Sequence, residues 1–504
     1  MKNTTRETSR SVVSNRWSVV ALILILVYVL YFGYLSVLRY HTLYASYFDL
    51  GIMDQTVYNT YKALTTFDWS RFLELTNPYG PEQIKRMAIH NDILLAFLAP
   101  FYFIHSGPAT LLVIQTVVTG AGGWAIYLIA KKIFEKSQWK YIIATVFVLV
   151  YLLNLAIQKA NLFDFHAVTL TTGLLLFAFY FWLTKKYIKS FVLIVLCLFA
   201  KEQVGLTTAF FGIFAFLSAQ KKDKKARLFG AAIFLLSMAW FALSVSVITP
   251  FFRGGKHFAL KYYSEYGDSP AKVFIGLLFK PVTLFRTVFS SDTFTYLFQI
   301  LGPVAFLSVL SPVILIAAPE FGINILSKSD NMRNLYYHYT AVITPFVFLS
   351  AIYGSHFLFT RLHRRFSQKI STSIIIALLF VPTVLFAYFK GPLPYAKQQQ
   401  MHPIKYPAKE TADVAYWARI LRSETWKVAA TGHIAPYFSA RRYFYAFNPW
   451  YDKADYIILR KAEVFNYPEK NVLIPVYEQL VRDERYVRIY SAHDLEVFKR
   501  VLYN

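Results

Sequence analysis

The chain has 504 residues, 56% of them hydrophobic and only 16% charged, with 53 Lys and Arg against 28 Asp and Glu and a formal net charge of +25. Soluble domains carry about 25% charged residues and lack the recurrent apolar runs seen here, so a soluble enzyme, a disordered scaffold and a collagen-like chain are excluded and an integral membrane protein is expected. Five short basic segments flanking apolar runs (2–16, 131–140, 185–189, 221–227 and 361–369) hold +17 of that charge. Short loops rich in Lys and Arg stay on the cytoplasmic side, and no base-stacking motif accompanies them, so no nucleic-acid partner is expected.

In chain order, the run 17–38 follows a basic leader without a small-residue cleavage site, which predicts a retained first helix and not a cleaved signal peptide. A long loop, 39–107, comes next. Its apolar piece 93–105 is well under the roughly 20 residues a span needs, so it is assigned to that loop. Further spans are expected at 108–130, 141–157, 167–184, 188–200, 204–219, 228–250, 272–290, 294–318, 340–360 and 370–389. The sum is about eleven transmembrane helices, with the N-terminus inside and the C-terminal tail outside a cell membrane. Lys280, Pro281 and Arg286 weaken the span 272–290, for which an interfacial helix is the alternative. Gly120, Gly122 and Gly123 lie mid-span and predict close helix packing rather than a phosphate cradle. Cys197 is the one cysteine, so neither an intrachain disulfide nor a cysteine metal cluster is expected. No internal repeat is evident.

After Lys390 the texture turns mixed and polar. The fragments KVAAT, DYIIL and YVRIYSA read as strands, a helix is expected near 476–485, and the closing HDLEVFKR is expected as an edge strand. The chain thus divides into a transmembrane domain, 1–389, and a small extracytoplasmic α/β domain, 390–504.

With this threading the unusual polar residues collect at the outer helix ends. Asp49 and Asp54 follow the first helix, and His90 and Asp92 close the same loop. Asp164 and His166 join the third and fourth helices, Lys201 and Glu202 the fifth and sixth. Glu320, Arg333 and His338 precede the tenth. Five segments deliver carboxylates, imidazoles and cations to one face, which predicts a shared site. Each has a plainer role as well: Asp49 and Asp54 as helix-capping or solvating groups, the histidines as headgroup-level hydrogen bonders, and Tyr336, Tyr337 and Tyr339 as an interfacial belt. Lys201 and Glu202 interrupt a continuous apolar stretch, where a charged pair is costly unless paired or wet, and so point to function.

The motifs FDLGIMDQ, HND, FDFH, AKEQ, PEFGINILS with YHYT, and LEVFKR occur in the order seen in a prokaryotic membrane-protein family, domain of unknown function 2079, which the chain resembles over most of its length. That family in turn resembles the GT-C-type glycosyltransferases, among them protein O-mannosyltransferases, aminoarabinose transferases and oligosaccharyltransferases. The resemblance implies a multi-spanning transferase that takes sugar from a polyprenyl-phosphate carrier in the membrane. Asp49 matches the catalytic acid of the first outer loop and Lys201 the lysine near the donor phosphate. Gln203 stands where many members have Asp, and Leu50 where several GT-C enzymes have a second acid; Asp54 is the alternative source of that carboxylate.

The expected function is therefore transfer of a sugar from a polyprenyl-phosphate donor to an extracytoplasmic glycan, lipid or protein, with inversion. Asp49 or Asp54 is the base, and Lys201 and Arg333 meet the phosphate. His90, Asp164, His166, Glu202, Glu320 and His338 surround them. A divalent metal ion is the only cofactor considered, with Asp49, Asp164 and His166 as candidate ligands. The rival readings are a transporter or flippase of lipid-linked or small polar substrates, and a non-enzymatic receptor or assembly factor.

Overall fold

The computed structural model describes residues 2–399, 401, 408–466, 468 and 470–501, with the side chains of 2–15 outside that description. The ends of both expected domains, residues 1 and 502–504, also lie outside the described residues.

Helix α1 (Lys2–His41) leads into a single π turn, Tyr47–Gly51, and then α2 (Ile52–Thr66). The hairpin β1 (Glu74–Thr76) and β2 (Gln83–Lys85) and a 3-10 segment, Ile93–Phe103, complete the loop. Leu94, Leu95 and Leu98 of that segment share a core with Met53 and Val57 of α2 and with Leu111 and Leu112 at the start of the next helix. Next come α3 (Pro108–Ile133), α4 (Lys140–Leu153) and α5 (Leu155–Leu162). The last two meet at 46° around Asn154, whose side chain accepts the Ala156 N–H and starts α5. The bundle continues through α6 (Thr171–Leu183), α7 (Tyr187–Leu198), α8 (Val204–Ser218), α9 (Lys224–Leu243) and α10 (Thr249–Arg253). It closes with α11 (Pro270–Phe279), α12 (Pro281–Val288), α13 (Ser291–Leu301), α14 (Ala318–Leu326), α15 (Ile343–Leu362) and α16 (Gln368–Lys390).

Among the described residues five stretches are helical, long and apolar enough to cross a membrane: Arg16–His41, Pro108–Ile133, Lys224–Arg253, Ile343–Leu362 and Gln368–Lys390. The bent pair α4 and α5 makes a sixth, and the remaining apolar helices run 10–17 residues. Besides 141–157, which bends at Asn154, two more expected spans are not single helices. The run 272–290 breaks at Lys280 and Pro281 into α11 and α12, because proline supplies no N–H to continue the ladder. The run 294–318 leaves α-helix at Gly302 and Pro303 and proceeds in 3-10 turns past Pro312. Gly120 and Gly122 serve close packing: a Cβ on Gly122 would lie 2.6 Å from the Tyr151 hydroxyl, and one on Gly120 2.6 Å from Val29. Cys197 is free and buried in the bundle core.

The tail forms α17 (Thr411–Ile420), β3 (Val428–Ala430), β4 (Phe444–Ala446), β5 (Tyr456–Arg460), α18 (Lys461–Asn466), α19 (Lys470–Arg482), β6 (Tyr486–Ala492) and β7 (Leu495–Arg500). The sheet order is β4-β3-β5-β7-β6, with β3 parallel to β4 and β5 and the β5-β7-β6 ladders antiparallel. The three strands read from sequence are present; β4 is an addition. The closing strand β7 is not an edge strand. It lies between β5 and β6 with Leu495, Val497 and Phe498 buried, whereas β6, mostly exposed, takes the edge.

This sheet shares a core with the first loop. Leu43, Tyr47, Ile52 and Leu75 pack with Val428, Phe444 and Ile458, and the Tyr47 N–H donates to the Gly432 carbonyl at 2.9 Å. Ion pairs from Arg442 to Glu74 at 3.0 Å and from Arg71 to Glu424 at 2.8 Å reinforce the joint. The connectivity also sorts the charge. Helices α3, α6, α8 and α15 run toward the basic segments at 131–140, 185–189, 221–227 and 361–369, and α4–α5, α7 and α9 return to the end that carries Asp164, Lys201 and His257.

Candidate functional site

Five connections converge at that end around a cavity of about 240 Å³. The π turn brings Asp49, the loop before Ile93–Phe103 brings Arg86, His90 and Asp92, the α5–α6 connection His166, and the α7–α8 turn Lys201. His338 and Tyr339, from the 3-10 turn leading to α15, and Tyr79, between β1 and β2, complete the polar lining.

Asp49 accepts the His166 Nε2 proton at 3.0 Å on Oδ1 and the Ser46 hydroxyl at 3.1 Å on Oδ2. Burial alone would raise its pKa, but the His166 hydrogen bond and charge, with Ser46 and Arg86, outweigh burial and hold the carboxyl below its ordinary value. Asp49 is therefore ionised at neutral pH. Asp164 lies just behind it and accepts the Ser46 N–H at 2.9 Å. Burial, and then the charge of Asp49, push Asp164 up to about 7. The backbone around it is tightly held: Asp164 has φ +28°, its carbonyl accepts from the Gln115 side chain at 2.9 Å, and the His166 N–H donates to Gln115 Oε1 at 3.1 Å. Gln115 of α3 thus fixes the turn that aims His166 at Asp49. The His166 ring stacks on His338 with centroids 3.7 Å apart. Burial, then the charges of His166 and Lys201, hold His338 well below the usual imidazole range, so it is neutral. Neither of its ring nitrogens has a partner among the described residues.

Glu202 points the other way along the wall. Its Oε1 is met by His90 Nδ1 at 2.8 Å and His257 Nε2 at 3.0 Å, and its Oε2 by the Asn91 N–H at 3.1 Å. Burial would raise Glu202, but the two imidazoles overcome it and leave the carboxyl well below its usual value. Burial pushes His90 down to about 3, so it is a neutral imidazole donating Nδ1–H. Arg86 is clamped to Asp92 in a buried pair of 2.8 Å, and Lys201 sits 5.7 Å over the Tyr339 ring. Among the described residues no carboxylate pairs with Lys201, which leaves its charge for a ligand.

Of the residues expected at the site, Asp49, His90, His166, Lys201 and His338 line one cavity, with Asp164 and Glu202 directly behind its wall. Asp54, Glu320 and Arg333 are elsewhere. Asp54 is fully buried, accepting the Tyr102 hydroxyl at 2.6 Å and the Ser439 hydroxyl at 2.7 Å. Glu320 accepts from Gln203 at 2.7 Å, and Arg333 donates to the Ile325 and Ser327 carbonyls and to Asp330. Nor do Asp49, Asp164 and His166 form the tightest ligand cluster: among the described residues, the group whose ligand atoms all lie within 4.8 Å of one another is His90, Glu202 and His257. Sequence reading missed Arg86, Gln115 and His257. Arg86 is separated from HND by only three residues and was legible as its neighbour; Gln115 and His257 sit in otherwise unremarked stretches and are placed only by the fold.

The whole chain resembles solved membrane-enzyme structures in fold. A crystal structure of ArnT from Cupriavidus metallidurans bound to undecaprenyl phosphate superposes with a TM-score of 0.54 over 95% of this chain and 98% of that one, at 10% identity. The apo oligosaccharyltransferase of Archaeoglobus fulgidus gives 0.46 over 91% and 72%, at 12% identity. The multi-spanning GT-C-like architecture expected from the motifs is thus the one observed. No curated protein matches the sequence. Residues 39–484 match the family model described as Predicted membrane protein (DUF2079), and the chain belongs to that family.

Proposed function

We propose that this multi-pass membrane protein is a glycosyltransferase that moves a sugar from a polyprenyl-phosphate donor to an extracytoplasmic acceptor with inversion. The observation that carries the reading is an ionised Asp49 sharing one cavity with an unpaired Lys201. The ArnT of similar fold was crystallised with undecaprenyl phosphate, which supports a polyprenyl-phosphate lipid as the carrier.

The step needs only a base and a cation. Asp49 takes the proton of the acceptor hydroxyl as its oxygen attacks the anomeric carbon. The bond from that carbon to the phosphate oxygen breaks, and polyprenyl phosphate leaves with the electron pair. Lys201, and Arg86 held by Asp92, stabilise the charge that develops there. His166 and Ser46 orient Asp49. Asp49, Asp164 and His166 have the donor types for a divalent ion, but among the described residues their ligand atoms do not all come within 4.8 Å of one another, so no step is routed through an ion there. The basic segments at the far helix ends support an orientation with the cavity and the C-terminal sheet outside the cell. Lys201 and Glu202 sit in the turn between α7 and α8 and not within a helix, which supports a ligand-facing role for them.

The test is transfer by purified protein in liposomes from a panel of polyprenyl-phosphate sugars. Donor consumption by wild type, lost in Asp49→Asn with donor binding retained, is the expected result. No consumption of any donor by folded wild type, with labelled lipid or solute crossing the bilayer instead, would overturn it in favour of transport.

A further inference from the structure

We infer that His90, Glu202 and His257 form a binding site for a zinc-type divalent transition-metal ion in the cavity wall. The inference stands on these three side chains and does not rest on the glycosyl-transfer reading.

The three come from separate connections: the first loop, the α7–α8 turn and the segment after α10. His257 and Glu202 are about 5% exposed, and His90 opens onto the cavity. Two imidazoles and one carboxylate are a donor set that suits zinc-type ions, with Mg2+ and Ca2+ disfavoured because they seek oxygen ligands. The spacing is close to what an ion requires. Ligands held at about 2.0–2.1 Å in a tetrahedron lie roughly 3.3 Å from one another. Here His90 Nδ1 and His257 Nε2 are 2.8 and 3.0 Å from Glu202 Oε1, so a retreat of a few tenths of an ångström admits the metal.

The surroundings are built to hold that carboxylate. The Asn91 N–H occupies Oε2 at 3.1 Å, and the Asn91 side chain is tied to Ser244 at 2.7 Å, fixing the backbone between His90 and Asp92. Of the three, His90 lines the cavity, so an ion would reach the cluster from that side.

Proton accounting is consistent. In the metal-free arrangement each imidazole spends an N–H on Glu202. On loading, His90 moves its proton from Nδ1 to Nε2, which has no protein partner among the described residues. His257 moves its proton from Nε2 to Nδ1 and gives up the 3.2 Å contact in which Nδ1 accepts the Ala259 N–H. One weak cap of a short 3-10 turn is exchanged for a metal bond.

Full-length protein in detergent, stripped with EDTA, is titrated with Co2+ and then Zn2+. The expected result is one Co2+ per chain with the visible absorption of a nitrogen-ligated tetrahedral ion, displaced by Zn2+, and a Zn2+-dependent rise in Tm. His257→Ala and Glu202→Gln each weaken binding by more than about 100-fold, the upper end of the loss from removing an outer-shell partner alone. His166→Ala leaves the affinity within about threefold. His257→Ala is the decisive variant should Glu202→Gln fail to fold, since it removes a ligand and spares the carboxylate. Absence of stoichiometric binding by folded wild type overturns the inference, as does binding that survives His257→Ala and disappears in His166→Ala.

Discussion

Asp49 and Asp54 lie five residues apart, and the fold gives them opposite tasks. Asp49 rides on a π turn whose extra residue swings it out of the helical register and into the cavity, where a histidine and a hydroxyl keep it ionised. Asp54 points from α2 into a dry joint between the first loop and the C-terminal sheet, closed by Tyr102 on one side and Ser439 on the other. Burial with only two hydroxyl donors pushes it up to about 6. The difference is one of donors and water access and not of residue type: the cavity supplies charge to Asp49, whereas the joint supplies only neutral hydrogen bonds to Asp54.

The largest test of that contrast is Asp49→Asn. Sugar transfer is expected to fall by about 10²–10⁴-fold, the usual contribution of a general base, with Tm almost unchanged because the amide oxygen still accepts from His166. Since Asp49 is held below its ordinary 3.8, the acid limb of the wild-type rate profile should lie below about pH 4. A variant that keeps wild-type turnover breaks the assignment. Lys201→Gln comes next: donor affinity is expected to drop about 10–100-fold, the loss of one strong charge-assisted contact, again without loss of Tm. An unchanged donor affinity would move the phosphate away from Lys201.

Asp54 should answer through stability. Asp54→Ala removes the acceptor of two buried hydroxyls and is expected to cost about 2–4 kcal/mol, seen as a lower Tm, while turnover per folded molecule persists. The pH dependence has a definite sign. Because the folded pKa is raised from 3.8 to about 6, the folded state holds this proton more tightly, so its stabilising contribution is complete below about pH 4 and is lost as pH rises through 6. Wild type compared with Asp54→Asn, which does not titrate, should therefore lose relative stability between pH 4 and 7. A flat difference would mean that the joint leaves Asp54 at its ordinary carboxylate value.

How far these roles were legible depends on the kind of signal. Charge placement and apolar runs gave the membrane class, and Asp49, His90, Asp164, His166, Lys201 and Glu202 stood out because polar residues clustered at connections are conspicuous between apolar helices. The run 272–290 was less readable, since its average apolarity masked a break at Pro281 that acts through one missing N–H. The closing strand was misplaced within its sheet because position in a sheet is a long-range property: β7 pairs with β5, some 40 residues earlier, on its other side. His257 was silent for the same reason. Its meaning comes from Glu202, 55 residues before it.

Arg333 carries the smallest expected effect and sharpens the boundary of the cationic wall. The sequence reading set it beside Lys201 on the donor phosphate, yet its guanidinium is spent on the Ile325 and Ser327 carbonyls at 3.2 and 2.7 Å and on Asp330 at 2.6 Å. The Asp330 side chain is 89% exposed, so that ion pair contributes little; the two carbonyl contacts, which tie the end of α14 to the following turn, account for most of the value. Arg333→Gln should lower stability by about 0.5–1.5 kcal/mol and leave the donor KM within twofold of wild type. A tenfold rise in KM at unchanged Tm would instead place Arg333 with Lys201 on the phosphate, and would require the α14 turn to reorganise when the lipid binds.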